Sequence, residues 1–270
     1  MVKAIVAGAA GRMGKRIVRM IHQSDDIMLA AAFERPDHPD LNQDVGVLAG
    51  VGGIGISLQG SLKETIDRGE VIIDFTGPEA TLENIWMAAP RGLAMVIGTT
   101  GITGKALEDV ERLGKQSRCV MSPNMSVGVN VVFKVAEEMA LALGPDYDME
   151  ILETHHRHKK DAPSGTAVRL AQILARAMKR DLEKVSVYER KGIVGERRPD
   201  EIGIQSQRAG DVVGEHTVLF GGTGERVELT HRAHSRDTFA AGAVRAALWV
   251  VNQPVGLYDM QDVLGLKKKS

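Results

Sequence analysis

The stretch KAIVAGAAGRMG, residues 3–14, constrains the fold of this chain more than any other. KAIVAG (3–8) is a short apolar run bounded by glycine, the pattern of a strand buried on both faces of a parallel sheet. GAAGRMG (8–14) follows directly, and the apolar spacing predicts a helix over about 12–23. Glycines at such a turn let the chain reverse tightly, let backbone approach a pyrophosphate and let the helix pack close to the strand. The helix N-terminus adds amide donors and a favourable dipole for an anion. The spacing is G-x-x-G-x-x-G, with Ala10 where the commoner dinucleotide fingerprint has glycine, so the loop alone also fits an ordinary glycine-rich turn. Glu34 strengthens the dinucleotide reading, because it ends the next predicted strand 20 positions after Gly14, where an acid meets ribose hydroxyls. Arg35 and Arg12 are each placed to pair with a 2′-phosphate, so both NAD and NADP fit.

The pattern continues. IMLAAAF (27–33), VIIDFT (71–76), AMVIGTT (94–100) and RCVMS (118–122) read as buried strands, with helices expected from about 78 and 103. Strands alternating with helices of this length predict an α/β chain with a doubly wound parallel sheet. Residues 36–55, rich in Pro, Asp and Gly, read as irregular loop. GTTG (98–101) and SPNMSVG (122–128) fall at predicted strand C-terminal ends, the edge where such a sheet binds its ligand. Either alone is ordinary turn chemistry; their shared edge is what adds force.

After about residue 126 the grammar changes. Val127, Val131, Val132, Val135, Ala136 and Met139 recur at helical spacing, DMEILETHH (148–156) reads as a strand, and a helix is expected from near Ser164. From about 185 to 234 the signal is mainly extended, and in RVELTHRAH the residues Val227, Leu229, His231 and Ala233 alternate with polar partners. A last helix over about 237–251 looks like a return element, and the lysines near the C-terminus read as a frayed tail. Two domains are therefore expected, residues 1–126 with 236–270, and residues 127–235.

The charge balance excludes some function classes. Net charge is −1, so no global field attracts nucleic acid or an anionic membrane surface. Cys119 is the only cysteine, which rules out an intramolecular disulfide and any multi-cysteine metal site. With no leader and no apolar run of about 18 residues, a cytoplasmic globular protein is expected.

One segment concentrates titratable groups: ETHHRHKKDAPSGTA, residues 153–167. A metal cage needs convergent ligands, yet consecutive strand residues His155 and His156 point to opposite faces, so no metal is expected. A nucleic-acid patch would interleave aromatics, and none are present. A solvated polar loop remains the bland alternative. The acid/base reading uses more of the residues. Lys159, Lys160 and a protonated histidine can meet a dicarboxylate, while Ser164 caps a helix whose first amides, at Gly165 and Thr166, suit a carboxylate. Such a cradle suits reduction of a C=N or C=C–C=N system, hydride arriving at one face while an acid protonates the electron-rich end.

These residues resemble a known family. VAGAAGRMG, DFTGPE, GTTG, SPNMSVGVN, HHRHKKDAPSGTA and GGTGERVELTHRAHSRDTFA occur in the order found in bacterial 4-hydroxy-tetrahydrodipicolinate (dihydrodipicolinate) reductases. The resemblance implies a Rossmann-like dinucleotide domain completed by the C-terminal helix. It implies also a second α+β domain, on a mixed or antiparallel sheet, that binds a small dicarboxylate and builds a homotetramer. It implies NADH- or NADPH-dependent reduction of the cyclic dicarboxylate to tetrahydrodipicolinate, in lysine and diaminopimelate biosynthesis. By position in the motif, His155 corresponds to the proton donor/acceptor, Lys159 to a proton donor, and His156, Gly165 and Thr166 to substrate-carboxylate contacts. Gly8, Ala9, Ala10, Gly11, Arg12, Met13, Glu34, Arg35, Gly98, Thr99, Thr100, Ser122, Pro123, Asn124 and Met125 would line the dinucleotide. Other amino-acid-pathway dehydrogenases on a similar two-domain plan, and a non-catalytic dinucleotide sensor, are the competing readings. The cofactor preference and the roles of His158 and Lys160 stay open.

Overall fold

In a computed structural model, residues 1–267 are described. The chain divides into two compact units, Met1–Val127 with Arg236–Ser270, and Gly128–Ser235. The first unit begins with β1 (Val2–Ala7), α1 (Arg12–His22), β2 (Ile27–Phe33) and a short α2 (Val45–Ala49). It continues through β3 (Val71–Asp74), α3 (Pro78–Ala88), β4 (Ala94–Ile97), α4 (Gly104–Gly114) and β5 (Arg118–Met121). The second unit holds α5 (Val127–Leu143), β6 (Asp148–His155), α6 (Gly165–Ala177), α7 (Leu182–Val185), β7 (Ser186–Val187), β8 (Ile202–Arg208), β9 (Gly214–Gly222) and β10 (Glu225–Ala233). The chain then re-enters the first unit with α8 (Asp237–Val250), β11 (Gly256–Tyr258) and α9 (Met260–Val263).

Unit 1 is a six-stranded sheet in the order β11-β5-β4-β3-β1-β2, parallel throughout. Its central strands are buried on both faces, which is why they read as unbroken apolar runs. Strand alternation divides them between two cores. Ala4, Val6, Ile73, Val96 and Val120 pack with Ile17, Val18 and Ile21 of α1 and with Ala240, Ala243 and Ala247 of α8. Ile5, Ala7, Ile72, Met95, Ile97 and Cys119 pack with Ile85 and Ala88 of α3 and with Val110 and Leu113 of α4. Each fully buried Ile or Val contributes roughly 1.5–3 kcal/mol of transfer free energy.

Unit 2 is a mixed five-stranded sheet, β10-β9-β6-β8-β7, in which β6–β9 and β9–β10 are antiparallel and β6–β8 and β7–β8 parallel. Met149, Ile151, Ile202, Ile204, Val218 and Phe220 form its apolar face, covered by Val129, Phe133 and Ala136 of α5 and Leu170, Ala171 and Leu174 of α6. In β10 the alternation holds: Val227 and Leu229 pair with Phe220 and Val218 and so share that face. As the edge strand, however, β10 leaves Val227 36% exposed.

Three readings change. Residues 36–55 are not wholly irregular: Asp44 accepts bonds from the amides of Gly46, Val47, Ile54 and Gly55 and so caps α2. The chain after 251 adds a strand, β11, pairing with β5, and a capped turn of helix, α9. Lys267 pairs with Asp259 and Asp262 and is not frayed, while the remaining tail lysines, Lys268 and Lys269, lie outside the described residues. Among the described residues no helix is long and apolar enough to cross a membrane.

Candidate active site

In unit 1 the glycine loop is shaped by contacts that only glycine permits. Gly8 takes φ +64°, and its carbonyl accepts a bond from Gly11 N at 3.0 Å, closing the turn. A Cβ on Gly14 would stand 2.1 Å from that carbonyl and 2.6 Å from Ala9 Cα, so this glycine lets α1 start against the loop. Gly11 is the N-cap of α1, and Arg12 and Met13 begin the helix. Ala9 is buried, so it offers a ligand backbone only. Glu34 follows β2, and its carboxylate accepts from Ala10 N at 3.2 Å and from Arg35 N at 3.3 Å, which ties the acid to the loop. Arg35 itself reaches Asp37 at 3.3 Å, and both side chains are exposed.

A cavity of about 320 Å³ opens beside the loop. Arg12, Met13, Gly98, Thr99, Thr100, Pro123, Asn124 and Met125 line it. Of the proposed dinucleotide residues, Gly8, Ala9, Ala10, Gly11, Glu34, Arg35 and Ser122 lie outside this lining. Met125 is 1% exposed with its side chain in the core, so backbone is what it presents. Ser122 holds the loop instead, donating from Oγ to Asn124 O at 2.9 Å.

Four lining residues come from the turn after β3, Phe75 to Pro78, and two, Arg236 and Phe239, from the chain's return. The first group was findable by the strand-end rule that selected GTTG; Arg236 and Phe239 carry no local signal. Beneath the cavity floor Asp74 is fully buried and accepts from Thr76 N at 2.9 Å, Asn84 Nδ2 at 2.8 Å and Thr99 Oγ1 at 3.3 Å. It therefore fixes both the DFTG and GTTG loops. Burial first, then the like charges of Arg12 and Arg16, lower the Arg236 guanidinium from its ordinary value. Arg16 is paired with Asp237, while Arg12 and Arg236 line the cavity beside a helix N-terminus; with a glycine cradle that a Cβ would fill, they fit a dinucleotide's pyrophosphate.

In unit 2 the histidine–lysine segment links the end of β6 to the start of α6. His155 is the last residue of β6 and His156 the first beyond it. Ser164 is the N-cap of α6, its hydroxyl accepting from Ala167 N at 3.2 Å, and Gly165 and Thr166 open the helix. Lys159 Nζ is held by both oxygens of Asp161, at 2.9 and 2.8 Å, and is mostly covered. That bond, ahead of opposing burial, holds the Asp161 carboxyl below the usual carboxylate range.

The residue that joins these parts is Glu153, which was not singled out in the sequence. It is fully buried. Its Oε2 receives His155 Nδ1 at 2.5 Å and Arg208 Nη1 at 2.9 Å, and its Oε1 receives Ser164 N at 3.1 Å. Burial pushes its pKa up, but the bonds from His155, Arg208 and Ser206 outweigh this and hold it at about 2. His216 on β9 packs edge-on to His155 with ring centroids 5.2 Å apart and meets Ser164 Oγ at 2.9 Å. Burial first, and then the charge of His155, push its pKa down to about 3. Glu153 had a usable signal, since it lies two residues before His155 and so on the same strand face. Arg208 and His216 had none, being 55 and 63 positions from Glu153.

The N-terminal family model for dihydrodipicolinate reductase matches residues 2–125, and the C-terminal model for the same enzyme matches residues 128–264. The chain belongs to the dihydrodipicolinate reductase family. It is 53% identical over 267 residues to the 4-hydroxy-tetrahydrodipicolinate reductases of Syntrophus aciditrophicus and Syntrophobacter fumaroxidans, covering 99% of this chain and 100% of each relative. A dipicolinate-bound dihydrodipicolinate reductase from Paenisporosarcina sp. TG-14 superposes with a TM-score of 0.76 at 26% identity, over 97% of this chain and 98% of that one. An amine dehydrogenase from Mycobacterium smegmatis aligns at 0.59 with 12% identity over 95% of this chain and 94% of that one, which shows the fold alone. The protein is accordingly an oxidoreductase with a Rossmann-type nucleotide-binding unit. It uses a pyridine nucleotide in a reductive step of lysine and diaminopimelate biosynthesis.

Proposed function

We propose that this reductase converts the dihydrodipicolinate-type cyclic dicarboxylate, formed from 4-hydroxy-tetrahydrodipicolinate, to tetrahydrodipicolinate, with NADH or NADPH as the reductant. One observation carries the reading most directly: the single carboxylate of Glu153 accepts bonds from both His155 and the N-terminus of α6, so a proton-handling ring and a carboxylate cradle share one anchor. The dinucleotide, when bound, supplies a hydride to the ring. Gly8 to Met13, with the guanidinium groups of Arg12 and Arg236, would hold its pyrophosphate, and Glu34 its adenosine ribose. Gly98 to Thr100 and Ser122 to Met125 would orient its nicotinamide half through backbone and hydroxyl groups.

On the substrate side, Gly165 and Thr166 amides and His156 would hold a ring carboxylate. Lys159, held in place by Asp161, would donate the proton that balances the incoming hydride, with His155 as proton donor or acceptor beside it. The net reaction takes one hydride from the dinucleotide and one proton from the enzyme. Unit 1 is the dinucleotide domain and unit 2 the substrate and assembly domain of a cytoplasmic homotetramer in this reading.

The decisive assay supplies the upstream synthase's product to the purified protein and follows NADH and NADPH absorbance in parallel. Oxidation of either is expected. Binding of dinucleotide without oxidation would identify a sensor, and activity with an acyclic aldehyde alone would identify another dehydrogenase. His155→Ala and Lys159→Ala should each lose turnover; unchanged turnover in both would overturn the role assignment.

A further inference from the structure

We propose that Glu153 is a positioning residue for the reduction, fixing His155 as the Nδ1–H tautomer so that Nε2 is its working atom, and locking that ring to the first turn of α6. The inference rests on the reading of His155 as the proton-handling group.

Four donors converge on this carboxylate: His155 Nδ1, Arg208 Nη1, the backbone amide of Ser164 and the Ser206 hydroxyl. An ionised carboxylate is acceptor-only, and it alone can satisfy all of them. A ring nitrogen 2.5 Å from such an oxygen carries its hydrogen there. The opposite ring edge is then defined by exclusion. A Cβ on Gly214 would stand 3.0 Å from His155 Nε2, so the glycine leaves the space that this nitrogen occupies. The charged and titratable groups facing His155 are Glu153 on its own strand, Arg208 opposite it on β8, His216 on β9 and, through His216, His231 on β10 and Lys159. The hydrogen bond at His155 Nδ1 is the one to Glu153 Oε2. During turnover Nε2 would exchange one proton while the Nδ1 proton stays on the ring and Glu153 stays ionised.

The same oxygen pair makes a second link. Oε1 holds the Ser164 amide while Oε2 holds the ring, so a displacement of one is felt by the other. Arg208 Nη2 extends the link to Asp161 O at 2.6 Å, in the loop that also carries Lys159.

Glu153→Gln tests this with almost no change of shape. Gln has one carbonyl oxygen and must turn its amide hydrogens toward either the Ser164 amide or the His155–Arg208 pair. If the amide faces the pair, His155 can keep a bond only by moving its hydrogen to Nε2. The expected result is a fall in kcat on the order of 10²-fold, within the ~10²–10⁴ that positioned proton transfer supplies, with KM for the dinucleotide unchanged. Histidine ¹⁵N NMR of the unaltered protein should show the neutral ring of His155 as the Nδ1–H tautomer, a readout that does not depend on the variant folding. Finding the Nε2–H tautomer in the neutral ring of the unaltered protein, or unchanged kcat in a folded Glu153→Gln, would overturn the proposal. If instead His155→Ala keeps full turnover, the reading of His155 fails first, so the two failures are distinguishable.

Discussion

Replacing Gly14 with alanine tests the glycine loop where its geometry is tightest. The new Cβ would lie 2.1 Å from Gly8 O, 2.6 Å from Ala9 Cα and 2.8 Å from Ala9 C. All three atoms are backbone, so no side chain can swing aside; the start of α1 must move about 1 Å away from the loop. Overpacking of a close-packed core costs about 1–3 kcal/mol, and rigid backbone neighbours place this case at the upper end. For a unit of roughly 160 residues, each kcal/mol lowers Tm by about 2–4 °C, giving a fall of roughly 6–12 °C. Displacing the helix N-terminus also moves its amides from the place where a pyrophosphate would sit, so NADPH affinity should drop as well. Thermal unfolding and fluorescence titration with NADPH measure the two effects. Gly53→Ala is the control, since the nearest atom to its Cβ would be 3.9 Å away. A Gly14→Ala protein that melts within about 1 °C of the parent would refute the close-packing argument.

Four further outcomes follow from the structure. Folded His216 binds its proton only near pH 3, whereas the unfolded chain does so near 6.5; acidification through that window therefore favours unfolding. His216→Gln should show a flatter stability–pH curve there, and parallel curves would count against it. Glu153 adds a lower window, its stabilisation present above about 4.5 and lost as pH falls toward 2. Cys119 is fully buried with its thiol pushed up to about 12, so iodoacetamide should label it only after denaturation; rapid labelling of the native protein would contradict this. Gly214→Ala crowds His155 Nε2 and should lower kcat with little change in KM for NADPH, as steady-state kinetics would show; a fall confined to KM would point elsewhere.

Much of unit 1 was legible because its information is local. The apolar run of β1, the glycines at 8, 11 and 14 and the alternation of short strands with helices each act within a few residues. The N-cap at Ser164 was readable for the same reason. The missed elements depend on distant partners. The strand β11 is only three residues long and exists because β5 lies beside it. Helix α2 is too short to show a period, and it forms because Asp44 gathers amides from both sides of a loop.

The candidate site divides the same way. By itself the sequence determined which segments bear the chemistry: a glycine loop before a helix, hydroxyl-rich turns at strand ends, and a histidine–lysine run leading into a capped helix. Only the tertiary structure decided which groups meet. Arg236 and Phe239 reach the cavity beside the glycine loop after more than a hundred intervening residues. Glu153, Arg208 and His216 converge because β6 pairs with β8 on one side and with β9 on the other. Periodicity records which face a residue takes along its own strand, whereas strand order and register, set by packing across the whole sheet, select its neighbours.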